Sequence, residues 1–403
     1  MNNKYVIVLG KISFLVAVMG LLVAHGSSTG QSGSGRGQPC FPYNSTDPAV
    51  ICIDGTDTQQ DISNLSSRSS VVDVNIMQTQ LENLNFLKDL QSITRKIRII
   101  GNPNLAKIST AGDFLLTELP NLMIKDNVSL TDLEGFGNVV QVGNVEIYGN
   151  TALTTLAHFS VGTTSQEINI GGNSALQDLY ALNQLTSLSG SLSIGGNNLN
   201  NLNDLAALNS VGGLYITEGN IANLAGLDNL SSVDGYLVVS YCANLVDLQG
   251  LSSLSQFSTL KIQYNDQLTS LSGLAVPPSL DEVSITYNAM LNDISSLSTL
   301  TAVSGILYFD NNSALVSLAA LSNVQSVGKL AITNNAQLGQ LGLAALGLID
   351  SADSGFYIMD NVALCEQDAQ DLLDQVLAAG GVGTSSYTTD NIKISGNLQV
   401  CTP

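Results

Sequence analysis

Between positions 97 and 361 the chain repeats one short pattern. Two branched apolar residues flank a single position, Asn follows three places after the second, and leucines then recur every third residue. Val145-Glu146-Ile147-Tyr148-Gly149-Asn150 with Leu153 and Leu156 is one copy, and Ile168-Asn169-Ile170-Gly171-Gly172-Asn173 with Leu176, Leu179 and Leu182 is the next. The Asn recurs at Asn102, Asn127, Asn150, Asn173, Asn197, Asn265, Asn288, Asn312, Asn335 and Asn361, while Gly219 and Cys242 fill the two slots that lack it. Most steps are 22 to 26 residues, and a period of that size means stacked repeats of a solenoid. One copy cannot bury its own apolar side, so the copies must stack on one continuous interior.

Within a copy, alternation as in Leu260-Lys261-Ile262-Gln263 puts Leu260 and Ile262 on one face of a strand and Lys261 and Gln263 on the other. The triplet spacing of Leu245, Leu248 and Leu251 suits tight turns or short 3₁₀ segments, whose side chains repeat every three residues. Strands of successive copies are expected to pair in parallel, about 4.8 Å apart. The Asn stands where the chain bends and no strand ladder is available, and its amide can bond the backbone of adjacent turns. Projected backwards, Val74 and Ile76 lead to Thr79, and Ile51 and Ile53 lead to Thr56; forwards, Ile392 and Ile394 lead to Asn397 after a 36-residue step. The expected fold is mainly β: a right-handed parallel β-solenoid of about fifteen turns, roughly 70 Å long.

The ends carry different signals. Residues 1–26 read as a secretory signal peptide, with Lys4, an apolar run from Ile12 to Ala24, and Ala24-His25-Gly26 as cleavage site. An uncleaved anchor is the alternative, although the run is short for a membrane span of about 20 residues. Residues 27–39 are a Gly/Ser-rich linker. Residues 40–403 are then a single solenoid, with 40–79 as N-terminal cap and first turns and 361–403 as C-terminal cap. Five cysteines suit an oxidising compartment. Cys40 and Cys52 lie at the start of the first turn and Cys365 and Cys401 bracket the last, which predicts disulfides Cys40–Cys52 and Cys365–Cys401. Cys242, standing in the Asn column, is expected inside as a small buried residue. Glu366 to Ala379 predicts a helix with Ala369, Leu372, Leu373, Val376 and Leu377 on its apolar face and Gly380-Gly381 as its end. It would cover the open end of the sheet.

The formal charge of −20, from 13 basic and 33 acidic residues, makes nucleic acid and anionic membrane surfaces poor partners. Much of the acid precedes leucines in turns, at Asp132, Asp178, Asp204, Asp247 and Asp293, where capping of turns is the ordinary role. No cofactor is expected. Calcium between neighbouring turns is the one ion this pattern leaves open, at a sparse one carboxylate per turn. Sequons at Asn44, Asn64, Asn229 and Asn311 are glycosylation candidates, whereas Asn127 matches a sequon but belongs to the inner column.

The pattern Leu-x-Ile-x-x-Asn-x-x-Leu-x-x-Leu-x-x-Leu, closing with Ser-Val-x-Gly, resembles the receptor L-domain class of leucine-rich-repeat-like solenoids. Val211-Gly212-Gly213-Leu214-Tyr215-Ile216 and Val327-Gly328-Lys329-Leu330-Ala331-Ile332 carry its recurring turn. The closing segment, Asn361-Val362-Ala363-Leu364-Cys365, a helix, then Ile394-Ser395-Gly396-Asn397 and Cys401, resembles the C-terminal cap of secreted, receptor-L-like microbial surface proteins. The similarity spans about residues 40 to 403. In that family such domains form ligand-binding lobes of growth-factor receptors. This sequence shows no kinase, no Cys-rich furin-like module and no transmembrane helix, so the resemblance implies extracellular recognition or a cell-surface structural role rather than signalling.

Catalysis lacks its parts. After signal removal His158 is the one histidine left, so three-His zinc sites and Ser-His-Asp arrangements are excluded. Gly171-Gly172-Asn173 and Gly195-Gly196-Asn197 have no Gly-Lys-Ser/Thr after them and read as turns. A polysaccharide-cleaving solenoid needs converging carboxylates, whereas the outward Asp54, Glu146 and Asp310 belong to distant turns. What the outward face offers is size and aromatic character. Tyr148, Tyr215, Lys261, Tyr308 and Tyr357 form the candidate ligand face, and Asn169, Gly171, Ser193 and Gly195 a small, flat middle. Tyrosines on a rigid polar sheet can stack on sugars or anchor a protein; a merely solvated face is the plainer reading. Tyr241, Tyr264 and Tyr287 precede the Asn position in three consecutive copies, and a structural stack along the solenoid is expected first and a recognition stripe second. The chain is therefore expected to be a non-enzymatic, secreted or cell-surface protein. Its partners would be an extracellular glycan or protein bound through the sheet face, or copies of itself in a layer, sheath or filament, with no membrane insertion once the signal is removed.

Overall fold

Alternating apolar and polar residues make each copy a strand, and each strand pairs in parallel with that of the next copy, like residue over like. Val145 and Ile147 align with Ile168 and Ile170, and Leu237 and Val239 with Leu260 and Ile262. The computed structural model describes residues 50–55, 57, 62, 65, 68–350, 355–380 and 391–399. Its 19 strands form one sheet. Fifteen of them are the main rungs, from Val50–Asp54 to Ile392–Ser395; four two-residue strands, such as Ser232–Val233, pair beside them. The last rung is reached only after the helix. About thirteen regular turns lie between the two end rungs, slightly fewer than the fifteen projected by counting every rung.

The branched residues and the leucine triplets face a common interior. Leu245, Leu248, Leu251 and Leu254 are all fully buried, each contributing about 1.5–3 kcal/mol by leaving water. Short 3₁₀ segments, including Tyr180–Leu182, Asn203–Leu205 and Ser295–Thr299, turn the chain on that side. Phe114, Phe136 and Phe159 fill three adjacent turns, with ring centroids 5.7 Å apart for the first pair and 6.4 Å for the second, both edge to face. The rings recur at steps of 22 and 23 residues, in phase with the repeat, and Phe136 and Phe159 both stand nine places after their Asn.

At the bend after each strand the asparagines form a ladder. Asn288 shows the full pattern. Its Nδ2 donates to Ile262 O at 2.9 Å, Thr286 O at 3.1 Å and Asn312 Oδ1 at 3.2 Å, and its backbone N–H also donates to Asn312 Oδ1. Its own Oδ1 accepts the N–H and Nδ2 of Asn265. The rung before each Asn must take the left-handed backbone: Gly101, Gly149, Gly172 and Gly196 do so, as do Asp126, Asn311, Asn334 and Asp360.

Two slots break the ladder. At Cys242 the sulfur replaces the amide; it is free and buried, and burial pushes the thiol up to about 11. A thiol reagent at pH 8 should therefore label Cys242 only when the protein unfolds; rapid labelling of the native protein would contradict its position. At Gly219 no side chain meets the Asn197 amide, and a cavity of about 10 Å³ opens beside Asn197, Leu199, Leu202 and Ile221, close to the size of one water. A Cβ at Gly219 would meet Cys242 Sγ and Ile221 Cγ1 at an ordinary 3.5 Å, and its φ is not in the left-handed range. Gly219→Asn should thus extend the ladder and raise stability by about 1 kcal/mol; a lower urea midpoint would contradict this.

The C-terminal helix spans Glu366–Ala378 and buries Ala369, Leu372, Leu373 and Val376. Gln375 Nε2 bonds Leu346 O at 2.7 Å, which seats the helix on the preceding turn. Leu377 is a correction: it is 46 % exposed, because it stands at the flank of the apolar stripe, about 100° round the helix from the fully buried Val376. Cys52 and Cys365 are disulfide-bonded. The partners expected for them, Cys40 and Cys401, lie outside the described residues, as do the signal segment, the linker, Thr56, Asn44 and Asn64. Among the described residues, no helix is long and apolar enough to cross a membrane.

Candidate ligand-binding face

Alternation leaves three outward positions per rung, and register stacks each into a column. The central column runs Arg98, Met123, Glu146, Asn169, Ser193, Tyr215, Val238, Lys261, Ser284, Tyr308, Ala331, Tyr357 and Lys393. Four of the five predicted face residues, Tyr215, Lys261, Tyr308 and Tyr357, share it. Tyr148 stands one column over, in line with Lys125 and Gly171. The five are therefore on one face without forming one cluster. Of the chain's 13 Lys and Arg, Lys96, Arg98, Lys125, Lys261, Lys329 and Lys393 lie in these columns beside Asp54, Asp73, Glu146, Glu167, Glu282 and Asp310, so the face is near balance in an acidic chain.

The rings lie down on glycine. A Cβ on Gly171 would meet Tyr148 Cδ2 and Cε2 at 3.0 Å, and one on Gly172 would meet Tyr148 Cζ at 3.3 Å. The small middle of the face thus receives a tyrosine ring rather than standing open. Gly213 serves Tyr215 in the same way, and Gly355 serves Tyr357. Two of these three rings also have a cation: Lys125 over Tyr148 at 5.7 Å, and Lys329 and Lys393 over Tyr357 at 5.0 and 5.9 Å. Tyr308 has Asp310 beside it, and burial first, then that carboxylate, raise its hydroxyl above the ordinary range. Burial likewise raises Glu146, against the pull of Lys125. Glu167, diagonally beside it on the next rung, and Asp126 add to the rise of Glu146, while Asp54 and Asp310 stand on distant rungs; among the described residues no group of His, Cys, Asp and Glu could hold a metal ion.

Two residues missed in the sequence complete the middle of this face. Tyr236 stacks on Tyr215 with centroids 6.5 Å apart, and Lys261 lies 5.9 Å from the Tyr236 centroid. Glu282 holds Lys261 at 3.0 Å. Both sit one place before the first inward residue of their copies, Leu237 and Val283. The alternation, continued one step backwards, would have placed them on the face.

Beside the face, Tyr241, Tyr264 and Tyr287 stack nearly parallel, with centroids 4.6 and 4.5 Å apart. All three have φ of 56°, where an L residue other than Gly, Asn or Asp costs roughly 1–2 kcal/mol. The two ring contacts return about 0.5–1.5 kcal/mol each, so stacking offsets only part of the strain of the three backbones.

The turns hold the predicted capping groups. Asp178 Oδ1 accepts Leu156 N at 3.0 Å and Asp204 Oδ2 accepts Leu179 N at 2.8 Å; Asp132, Asp247 and Asp293 accept amides two residues on. His158 is exposed at a turn. Of the glycosylation candidates described, Asn229 is exposed with its amide on Ala206 O, and Asn311 bonds Asp310.

Residues 279–375 match the family model for the Receptor L domain. The match covers 97 of the 403 residues, and the parallel solenoid that runs through the described residues fits a receptor L-domain-like solenoid. The class supports recognition of a ligand, and its members are typically not enzymes. No curated protein matches the chain.

Proposed function

We propose that this is a non-enzymatic, secreted or cell-surface recognition protein that binds an extracellular glycan or protein through the outward sheet face. The observation that carries the reading is the row of tyrosines, with Tyr148, Tyr215 and Tyr357 laid on glycines, and each ring of the row beside a cation, an aromatic or a carboxylate neighbour. Rings fixed in this way lose little freedom on binding, which is how tyrosine supplies contact area at low entropic cost. Disulfides Cys40–Cys52 and Cys365–Cys401 close the two ends in this reading, and glycans at Asn44, Asn64 and Asn229 fit an extracellular site. On a printed glycan array and a panel of extracellular proteins, the chain should bind, and Tyr215→Ala and Tyr308→Ala should each weaken binding about tenfold. Unchanged binding in both would sink the face assignment.

A second reading, a subunit of a layer, sheath or filament, draws on the regular body and the low charge of the face around Asn169, Ser193 and Gly195. Sedimentation at rising concentration separates the two. Recognition predicts a monomer throughout, and concentration-dependent growth would favour assembly.

A further inference from the structure

We propose that Tyr215, Tyr236, Lys261, Glu282 and Gln263 form one binding strip on the sheet face, and that its ligand is an uncharged oligosaccharide. The inference rests on the glycan branch of the reading above. The first observation is an orphan: Gln263 Oε1 is the buried side-chain oxygen without a hydrogen-bond partner among the described residues, in a side chain 7 % exposed. Its Nε2 donates to Ser284 Oγ at 3.0 Å. Turning the amide over moves the vacancy to nitrogen and does not fill it. A buried amide with one unused end is a cost that the fold gives no reason to accept, since leucine would fill the same space.

The second observation is what surrounds it. Gln263 lies two residues beyond Lys261 on one strand and one face, about 7 Å away. Tyr236, 43 % exposed, pairs with Thr259, two residues before Lys261 and four before Gln263. The strip is thus about 13 Å long, the reach of an oligosaccharide rather than of a single sugar. Val238 and Thr259, in register between the larger residues, are buried and fill its floor. Sugars need an aromatic surface for their apolar faces and paired donors and acceptors for their hydroxyls. Tyr215 and Tyr236 supply the first. The Lys261 ammonium, the Glu282 carboxylate and the free end of the Gln263 amide supply the second.

The charge pattern selects an uncharged ligand. Lys261 and Glu282 already neutralise one another at 3.0 Å, so an acidic or basic sugar would have to break the pair, and the net charge of −20 repels acidic chains. A protein partner would need an apolar pocket for an anchoring side chain, and the strip has none: of the exposed large apolar residues, Val246, Met290 and Val316 stand at the turns, away from it.

The test is an array of neutral oligosaccharides probed with the full chain and with Tyr236→Ala, Gln263→Leu and Tyr308→Ala. Binding should fall at least tenfold in the first two, while the urea midpoint of Gln263→Leu stays level or rises, which a structural glutamine would not allow. If the array is bound, Tyr236→Ala and Gln263→Leu bind as the parent does, and Tyr308→Ala loses binding, the strip is wrong and the face reading stands. If Gln263→Leu loses stability and binding together, the amide is structural and the strip is overturned. If no neutral glycan is retained by the parent chain, the glycan reading and the strip fall together.

Discussion

Asn288→Ala should lower the stability of the protein by about 3–5 kcal/mol, a large effect for a substitution with no apolar loss. The change takes the amide donor from the Ile262 carbonyl and one of two donors from the Thr286 carbonyl, which keeps the Tyr264 N–H, and removes the oxygen that accepts from Asn265. Each buried group left without a partner costs about 1–3 kcal/mol. The position is fully buried, so water does not replace the lost bonds without rearrangement. In a stack whose turns contact only their neighbours, a defect in the middle also weakens coupling between the halves. The urea transition should move to lower concentration and broaden or split. Cys242→Ala is the control: its sulfur makes only long contacts, 3.5 Å to Ser240 O and 3.9 Å to Ile216 O, and its loss should cost well under half as much. Equal effects at the two positions would show that the ladder is no more than filler.

Phe136→Ala should cost a similar 3–5 kcal/mol by a different route. The ring is fully buried between Phe114 and Phe159. Removing it leaves a cavity in an interior one rung thick, and both edge-to-face contacts go with it, worth about 0.5–1.5 kcal/mol each. Phe136→Leu should recover most of the loss by refilling the volume. Thermal or urea unfolding of the two variants checks this, and an alanine variant within 1 kcal/mol of the parent would mean that the spine is not packed as described.

The columns were legible in the sequence because a solenoid repeats one environment at a fixed period. Ile147 and Ile170 meet the same neighbours, and so do Asn150 and Asn173. What depends on a single turn was not legible. The phenylalanine spine keeps the period, at steps of 22 and 23 residues, but occupies only three copies. Leu377 follows the helical period and yet falls at the exposed flank of the stripe. The candidate face was read in part: Tyr215 and Lys261 stand out by alternation, but their partners Tyr236 and Glu282 sit diagonally across rungs, a relation that register sets and spacing alone does not display. Gly171 and Gly172 looked like an open flat because glycine says nothing of the Tyr148 ring laid across it. The left-handed backbone of Tyr241, Tyr264 and Tyr287 was hidden for the opposite reason, since tyrosine is a residue that rarely signals such a conformation.

Tyrosine-selective chemical labelling, read by mass spectrometry with and without the best-bound glycan of the array, tests most directly whether the sheet face is the binding surface. Tyr180 is 52 % exposed on a 3₁₀ turn away from the face and serves as the internal reference. The ligand should slow labelling of Tyr215 and Tyr236 and leave Tyr180 unchanged. Protection of Tyr180, with Tyr215 and Tyr236 labelled at their free rates, would place the ligand on the turns and contradict recognition through the sheet.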